Sequence, residues 1–461
     1  MVNILIKGTE LFLQAAFLGV DHTTSLTFYG GVGEIGGNKI LLKDKDTQVF
    51  FDFGMSIGMK KRYYSMPFLS PHSERSLLAF GILPPIEGIY SFDEKERSVD
   101  AVFLSHSHSD HAAYISFLKQ DIPVHCGETT ATILKALDET RTGRFEFDLN
   151  GRSFQTFRTG NKVRVGSIEV EPIHVDHSVP GAYGFLIHTS VGCVVYTGDL
   201  RLHGQRPQMS QDFIEASGKS HPIAIITEGT NMTGAAVSSE TEVRAKICNV
   251  IQNTPGIVLA DFAGGDLDRL RSFHDMGKKC GRYLAITMRQ AYLIDKLKDD
   301  AHLRLPQLEG DSLLVFRKEK KRYYSWEKEV MNHQNVVDSA KVSAIQNKIV
   351  LVCSFYDFEG LVDIKPVPAS SYILSASEPY DEEMELDYER LINWLVYYGL
   401  PQYHIHVSGH IMPLQLLEML KRIGARSIFP VHCQHPDLFT RFAAGTEAKI
   451  INTELAKEYP M

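Results

Sequence analysis

Four side chains able to bind a metal fall within six positions of the run VFLSHSHSDHAAYISFL: His106, His108, Asp110 and His111. Imidazole nitrogens and carboxylate oxygens are suitable donors to zinc, with no thiolate required. An apolar strand predicted over Val99 to Ser105 stops just before them, so they stand on a loop at a strand end, ahead of a helix predicted over Ala112 to Lys119. Taken singly, each is most simply a satisfied polar loop residue; as a cluster, they suit two adjacent divalent ions. Four residues cannot complete two coordination spheres, so other segments must contribute. Three later strand ends do so: His177 in HVDHSVPGAYG, Asp199 in VVYTGDLRLHG and His432 in IFPVHCQHP. Alone, each of these is more often a turn residue. Their shared placement just past an apolar run is what marks them.

The elements that must position these groups change character along the chain. From Leu26 to about Gly204 short β-rich runs are broken by turns: Leu26 to Tyr29, Asn38 to Leu42, Gln48 to Phe53, Val99 to Ser105, Ile168 to Ile173, Ala182 to His188 and Cys193 to Thr197. This pattern predicts antiparallel and mixed sheet with helices outside. From about Thr241 helices and strands alternate: Glu242 to Gln252, Gly256 to Asp261, Leu267 to Lys279, Tyr283 to Ile286, Arg289 to Lys298. Alternation of this kind predicts a parallel sheet covered by helices. It continues through Lys348 to Cys353, Ser371 to Ser375 and a helix over Glu383 to Tyr398, whose acidic start at Asp381 favours the helix dipole. Past Pro401, strand-like runs at His404 to Val407 and Ser427 to Val431 flank a helix at Leu414 to Arg422. An α/β block therefore interrupts a first fold that resumes near the C-terminus.

Two short motifs invite other readings. YGGVGEIGGNKILL contains Gly-x-Gly-x-x-Gly at Gly31, Gly33 and Gly36, but a dinucleotide-binding loop must open a helix, and here an apolar strand follows. The stretch reads as a glycine-rich hairpin loop. Asp52-Phe-Gly is not a kinase signal, because no His-Arg-Asp catalytic loop accompanies it.

The ordered set His106-x-His108-x-Asp110-His111, His177, Asp199 resembles the signature of the metallo-β-lactamase superfamily. The resemblance extends to its β-CASP nuclease branch and the ribonuclease J family, with the short archaeal form the closer match. GGVGEIGGN with FFDFG is similar to that family's opening, TEGT at Thr227 to Thr230 to its acidic motif, HVSGH at His406 to His410 to its second motif, and PVH at Pro430 to His432 to its third. The resemblance implies an αββα sandwich with an inserted α/β β-CASP domain: residues 1–231 and 401–461 forming the sandwich, 232–400 the insertion. It implies two zinc ions, one held by His106, His108 and His177, the other by Asp110, His111 and His432, with Asp199 bridging. Asp52 would orient ligands from behind them. His410 would be the acid or phosphate clamp, supported by Glu228, with Asp110 among the catalytic groups and Ser408 holding a phosphate. The implied activity is zinc-dependent hydrolysis of RNA phosphodiester bonds, 5′-to-3′ exonucleolytic with endonucleolytic cleavage besides, on RNA that carries a 5′-monophosphate. A histidine at the third motif is the pattern of RNA-processing members, where DNA nucleases tend to have valine. The family also implies a homodimer. SFYDFEGLVDI and SASEPYDEE depart from the family's usual Gly-Gln-Gly-Glu-Pro and Ser-x-Pro-Gly-Asn patterns. A DNA nuclease, a broad phosphodiesterase or a small-ester hydrolase would use the same di-zinc site.

Bulk properties fit this reading without demanding it. The 461 residues are 44% apolar and 23% charged, which gives an ordinary globular composition large enough for two or three domains. Leu11 to Val20 is too short to span a bilayer, so no membrane association and a cytoplasmic location are expected. The six cysteines lack C-x-x-C pairs, which argues against a cysteine zinc site or disulfide framework. A net charge of −8 does not advertise nucleic-acid binding, although Lys60-Lys-Arg-Tyr-Tyr-Ser recurs letter for letter from Lys320. Such basic-aromatic runs could grip phosphates and stack bases, or simply be two solvated loops.

Overall fold

The structure is a computed structural model and describes residues 24–65, 68–141, 145–234, 237–310, 312–376 and 382–461. The apolar run Leu11 to Val20 and Asp381 lie outside the described residues. Among those described, three seven-stranded sheets form. In the first, Thr24–Gly30, Lys39–Asp44 and Thr47–Phe53 make an antiparallel meander, to which Ala101–Phe103, Val124–Gly127 and Gln155–Phe157 add in parallel. The second runs from Val163–Val165 through Ile168–His174, Tyr183–Thr189, Gly192–Tyr196, Ala224–Glu228 and Ser427–Val431 to Lys449–Ile450.

Apolar alternation on these strands decides how the two sheets meet. Phe28, Phe51 and Phe103 from the first pack against Phe185, Val194, Tyr196, Ile226 and Phe429 from the second in one buried core. The outer face of the first sheet is covered by the helical segments through Ala113–Phe117 and Glu128–Thr140, and that of the second by Pro207–Lys219 and Pro413–Ile423. Helix, sheet, sheet, helix is the expected αββα sandwich.

The third sheet is built from Val258–Asp261 through Gln402–His404, and all its strand pairs are parallel. Ile349–Val352 is buried at every position, as a strand covered by helices on both faces must be. The strand predicted over His404 to Val407 is seen at Gln402–His404 and pairs with Ser371–Leu374, so the chain leaves the third sheet after His404 rather than at 401. Leu267–Lys279 and Ser427–Val431 fall where periodicity placed them.

Two predicted elements near the histidine run differ. The strand expected over Val99 to Ser105 is only Ala101–Phe103, because Ser105 leaves the ladder: its N–H donates to Asp52 Oδ1 (2.7 Å), and its carbonyl accepts from Tyr183 N–H (2.9 Å). The helix expected from Ala112 starts earlier, at Ser109, since the N–H groups of His111 and Ala112 both reach the His108 carbonyl. Asp110 and His111 therefore stand on a helical turn, which tightens to 3₁₀ over Ala113–Phe117. The two identical hexapeptides also diverge. Lys60 to Tyr63 lie in the helix Ile57–Tyr63, where Tyr63 stacks on Phe80, whereas the second copy precedes the helix Ser325–Val330.

The sandwich and the third-sheet unit are joined through buried charge. Arg201, fully enclosed, bonds Asp176 (3.2 Å) from the sandwich and Glu240 (3.1 Å) and Asp268 (2.9 Å) from the other unit. Glu240 also binds Arg269 (2.8 Å), itself fully buried. Removing one partner of a buried ion pair strands the others without solvent, at a cost of about 3–5 kcal/mol. Arg201→Met should lose stability of that order in urea unfolding followed by circular dichroism; a change within error of zero would show that the network is dispensable.

Candidate metal centre

Asp199 follows the strand Gly192–Tyr196, and its Oδ2 lies among five imidazoles: 3.2 Å from His111 Nε2, 3.6 Å from His410 Nδ1, 3.7 Å from His106 Nε2 and His432 Nε2, and 3.9 Å from His177 Nε2. Around this oxygen the ligand-type atoms fall into overlapping groups. His106, His108, His177 and Asp199 form one; Asp110, His111 and His432 form another; Asp199, Glu228, His410 and His432 form a third. All seven residues expected to hold metal are thus brought together.

The geometry fits divalent ions. In a tetrahedral site with metal–nitrogen bonds of about 2.0–2.1 Å, ligand atoms are roughly 3.3 Å apart. His106 Nε2 and His108 Nδ1 are 3.0 Å apart, His108 Nδ1 and His177 Nε2 3.2 Å, and His432 Nε2 and Asp110 Oδ2 3.1 Å. His111 Nε2 and Asp199 Oδ1 are buried with no hydrogen-bond partner. A buried acceptor left unmet is costly unless something else binds it.

Tautomers are set from behind. His177 Nδ1–H donates to the Gly409 carbonyl (2.7 Å), which leaves the Nε2 lone pair facing inward. His111 Nδ1–H donates to Asp52 Oδ2 (2.7 Å). Thr230 Oγ1 donates to Glu228 (2.7 Å), so its lone pair accepts from His432 Nδ1–H (2.9 Å). Partners of this kind orient ligating imidazoles and raise their basicity. Burial holds His106 and His177 well below the usual imidazole range and lowers His108 to about 4, which keeps these three neutral. For Asp199, burial opposes ionisation, but His111, His432 and His410 prevail and hold it well below the carboxylate range.

Asp52 reaches His111 through a backbone irregularity. Lys39 pairs with Phe53 and Ile40 with Phe51, so Asp52 is the extra residue of a β-bulge, with φ of 57°. Its carboxylate accepts four donors: Ser105 N–H, Ser105 Oγ–H, His111 Nδ1–H and Tyr196 O–H. His432, also at positive φ (49°), donates its backbone N–H to the Gly31 carbonyl. Such strained non-glycine residues concentrate at functional sites.

The glycine loop now has a physical reason. Gly36 sits at φ +78°, where a Cβ would lie 2.5 Å from Asp110 Oδ2; a Cβ on Gly54 would lie 1.7 Å from the Asp110 carbonyl. Asn38 N–H also donates to that carbonyl. Gly31 to Asn38 and Gly54 therefore press against the turn that carries Asp110 and His111.

His410 Nδ1 contacts Glu228 Oε2 at 2.9 Å, while its Nε2 makes no hydrogen bond among the described residues. Burial lowers its pKa, but Glu228 and Asp199 outweigh this and push it up to about 9. Ser408 Oγ is not against the cluster: it accepts from His410 N–H (3.2 Å), and the Ser408 carbonyl accepts from His203 Nε2–H (2.8 Å). Both Ser408 and His410 line a cleft of about 480 Å³ between sandwich and third-sheet unit, as do His108, Arg141 and Arg289. Neither basic hexapeptide offers a free leading lysine, since Lys60 pairs with Glu146 and Lys320 with Glu327. Thr230, Ser105 and Tyr196 have roles that spacing did not reveal. Only the place of Thr230 in TEGT could have drawn attention to it.

An αββα sandwich with this imidazole–carboxylate cluster at its strand ends defines the metallo-β-lactamase class of fold. The beta-lactamase superfamily domain matches residues 90–225. Ribonuclease J of Thermus thermophilus is 24% identical over 436 residues, covering 89% of this chain and 68% of that protein. Ribonuclease J 2 of Streptococcus pyogenes is 22% identical, covering 91% and 72%. A crystal structure of a protein of unknown function from Enterococcus faecalis superposes with a TM-score of 0.76 at 22% identity, covering 95% of this chain and 100% of that one, and so shares the fold. Residues 90–225 thus carry a beta-lactamase superfamily domain, and over most of its length the chain is similar to ribonucleases J.

Two glycine substitutions separate contact from strain. Gly36→Ala puts a methyl group against Asp110, whereas Gly33→Ala, at φ +64°, meets nothing within 4 Å. Gly36→Ala should lower the metal bound per chain, read by plasma mass spectrometry after gel filtration, while Gly33→Ala should retain it. Equal metal content in the two variants would refute the packing role assigned to Gly36.

Proposed function

We propose that this chain hydrolyses RNA phosphodiester bonds at a di-zinc centre, acting as a 5′-to-3′ exonuclease on 5′-monophosphorylated RNA, with internal cleavage as a second mode. The observation that carries the reading is Asp199: its buried Oδ2 lies 3.7 and 3.9 Å from His106 and His177 of one triad and 3.2 and 3.7 Å from His111 and His432 of the other, while His108 and His410 of the same cluster line a cleft with two arginines. His106, His108 and His177 would hold one ion, Asp110, His111 and His432 the other, and Asp199 would span both. When bound, the ions supply Lewis acidity toward water and phosphoryl oxygen. The ribonuclease J names of the relatives and the histidine at position 432 favour RNA as the substrate.

The protein's own groups account for the remaining demands. Arg141 and Arg289 offer fixed positive charge in the cleft to backbone phosphates. His410, whose Nδ1 faces Glu228 Oε2 at 2.9 Å, is the candidate to give a proton from Nε2 to the leaving ribose oxygen. Ser408 braces His410 through its backbone N–H and is the candidate to meet a terminal phosphate. The third-sheet unit, inserted as the β-CASP domain, supplies the far wall of the cleft. The homodimer and the cytoplasmic location follow from the family resemblance, and sedimentation of the full chain reads the first. Among the described residues no helix is long and apolar enough to cross a membrane.

The test is zinc-loaded protein incubated with end-labelled RNA and DNA bearing 5′-monophosphate, 5′-hydroxyl or 5′-triphosphate. Mononucleotides released from monophosphorylated RNA are expected. Activity on DNA alone, or on a lactone with no nucleic acid cleaved, would overturn the reading. Asp199→Ala should lose both metals and activity together, because one oxygen serves both triads; a variant that kept two zincs and full turnover would refute the bridge.

A further inference from the structure

A second cavity, of about 690 Å³, is lined by His177 but by no other imidazole of the cluster. It opens between the helices Pro207–Lys219 and Leu267–Lys279 and the segment 302–305. Four arginines line it, Arg158, Arg206, Arg271 and Arg304, of which Arg158 is paired with Glu128. Arg271 bonds Asp268 through one terminal nitrogen, while its Nε is buried with no partner. The side chains of Arg206 and Arg304 make no ion pair or hydrogen bond among the described residues, although Arg206 is half-buried. Burial, with Arg271 and Arg304 as like charges, lowers the Arg206 pKa.

The carboxylates nearby are already committed. Asp176 is bound to Arg201, Asp268 to both Arg201 and Arg271, and Glu128 to Arg158. Guanidinium groups gathered around an open cavity with positive charge to spare are matched by an oxyanion that takes several N–H donors at once. A phosphate alone would leave most of the space unfilled. The remaining wall includes Tyr183, stacked on His174 at 4.0 Å, together with apolar side chains, and the volume falls in the range of small-molecule sites.

We infer that this cavity is a binding site for a phosphate monoester of nucleotide size, distinct from the hydrolytic cleft, with Arg206, Arg271 and Arg304 holding the phosphate. The site does not depend on the proposed hydrolysis, since none of these arginines touches the metal cluster. Isothermal titration of the zinc-loaded full chain with 5′-AMP, with inorganic phosphate and with a 5′-hydroxyl RNA dodecamer tests it. The double variant Arg206→Gln/Arg304→Gln removes two side chains that have no partners to strand, and Asp199→Ala disables the metal cluster separately. Tight binding of 5′-AMP is expected to persist in Asp199→Ala and to weaken at least tenfold in the double variant, whose zinc content stays at the wild-type value. Several results would overturn the assignment: 5′-AMP affinity within twofold of wild type in the double variant, loss of 5′-AMP binding in a folded Asp199→Ala protein, inorganic phosphate bound as tightly as 5′-AMP, or arginine-dependent binding of the dodecamer alone. Circular dichroism of both variants separates misfolding from loss of the site. Should Asp199→Ala misfold, a crystal of the wild-type protein with 5′-AMP decides by showing the phosphate on Arg206 or elsewhere.

Discussion

Burial of negative charge is the constraint on which the rest of the structure depends. Asp199, Asp52 and Glu228 are almost wholly enclosed, and an ionised carboxylate taken out of water costs several kcal/mol unless paired and hydrogen-bonded. Each is compensated differently. Asp52 takes four donors within the protein, Glu228 takes Leu200 N–H, Thr230 Oγ–H and His410, and Asp199 keeps one oxygen unmet. The first two carboxylates are complete as they stand. Asp199 is the one whose coordination the folded chain leaves open, and five imidazoles of the centre surround its other oxygen.

This hierarchy bears on what the sequence could reveal. His106, His108, Asp110 and His111 were legible because their types are rare together and their spacing is local. His177, Asp199 and His432 were legible only by their shared position past apolar strands. Asp52 and Ser105 act through a β-bulge and a chain that leaves its ladder early; such register events are set by tertiary contacts, not by local propensity. The same limit applies to the predicted helix at Ala112, which begins at Ser109 because the His108 carbonyl captures two N–H groups. Several helices and strands of the third-sheet unit fall where periodicity placed them, whereas Leu313–Phe316, Ser325–Val330 and Val336–Val337 are too short to leave a periodic signal.

The recurrence of Lys-Lys-Arg-Tyr-Tyr-Ser illustrates how little a short identity fixes. One copy is helical and bonds its first lysine to Glu146; the other leads into a helix and bonds its first lysine to Glu327. In both, a carboxylate outside the hexapeptide claims the first lysine, Glu146 from a distant segment and Glu327 from two residues further along the chain. Positive charge in the cleft comes instead from Arg141 and Arg289, isolated residues that no pattern marks.

The same logic ties the seam to the centre. Asp176 precedes His177, and Arg201 lies two residues beyond Asp199; the two are joined by a side-chain ion pair and by Arg201 N–H to the Asp176 carbonyl at 2.7 Å. Arg201 continues to Glu240 and Asp268 on the helices of the third-sheet unit, and the Gly409 carbonyl that orients His177 belongs to the segment returning from that unit. Two residues of the cluster, His177 and Asp199, are therefore held by the contacts that fix the inserted unit against the sandwich. A shift of that unit would move His177 and Asp199 along with the cleft wall. The insertion thus does more than add surface: its docking and the geometry of the centre are set by one connected network of buried charge.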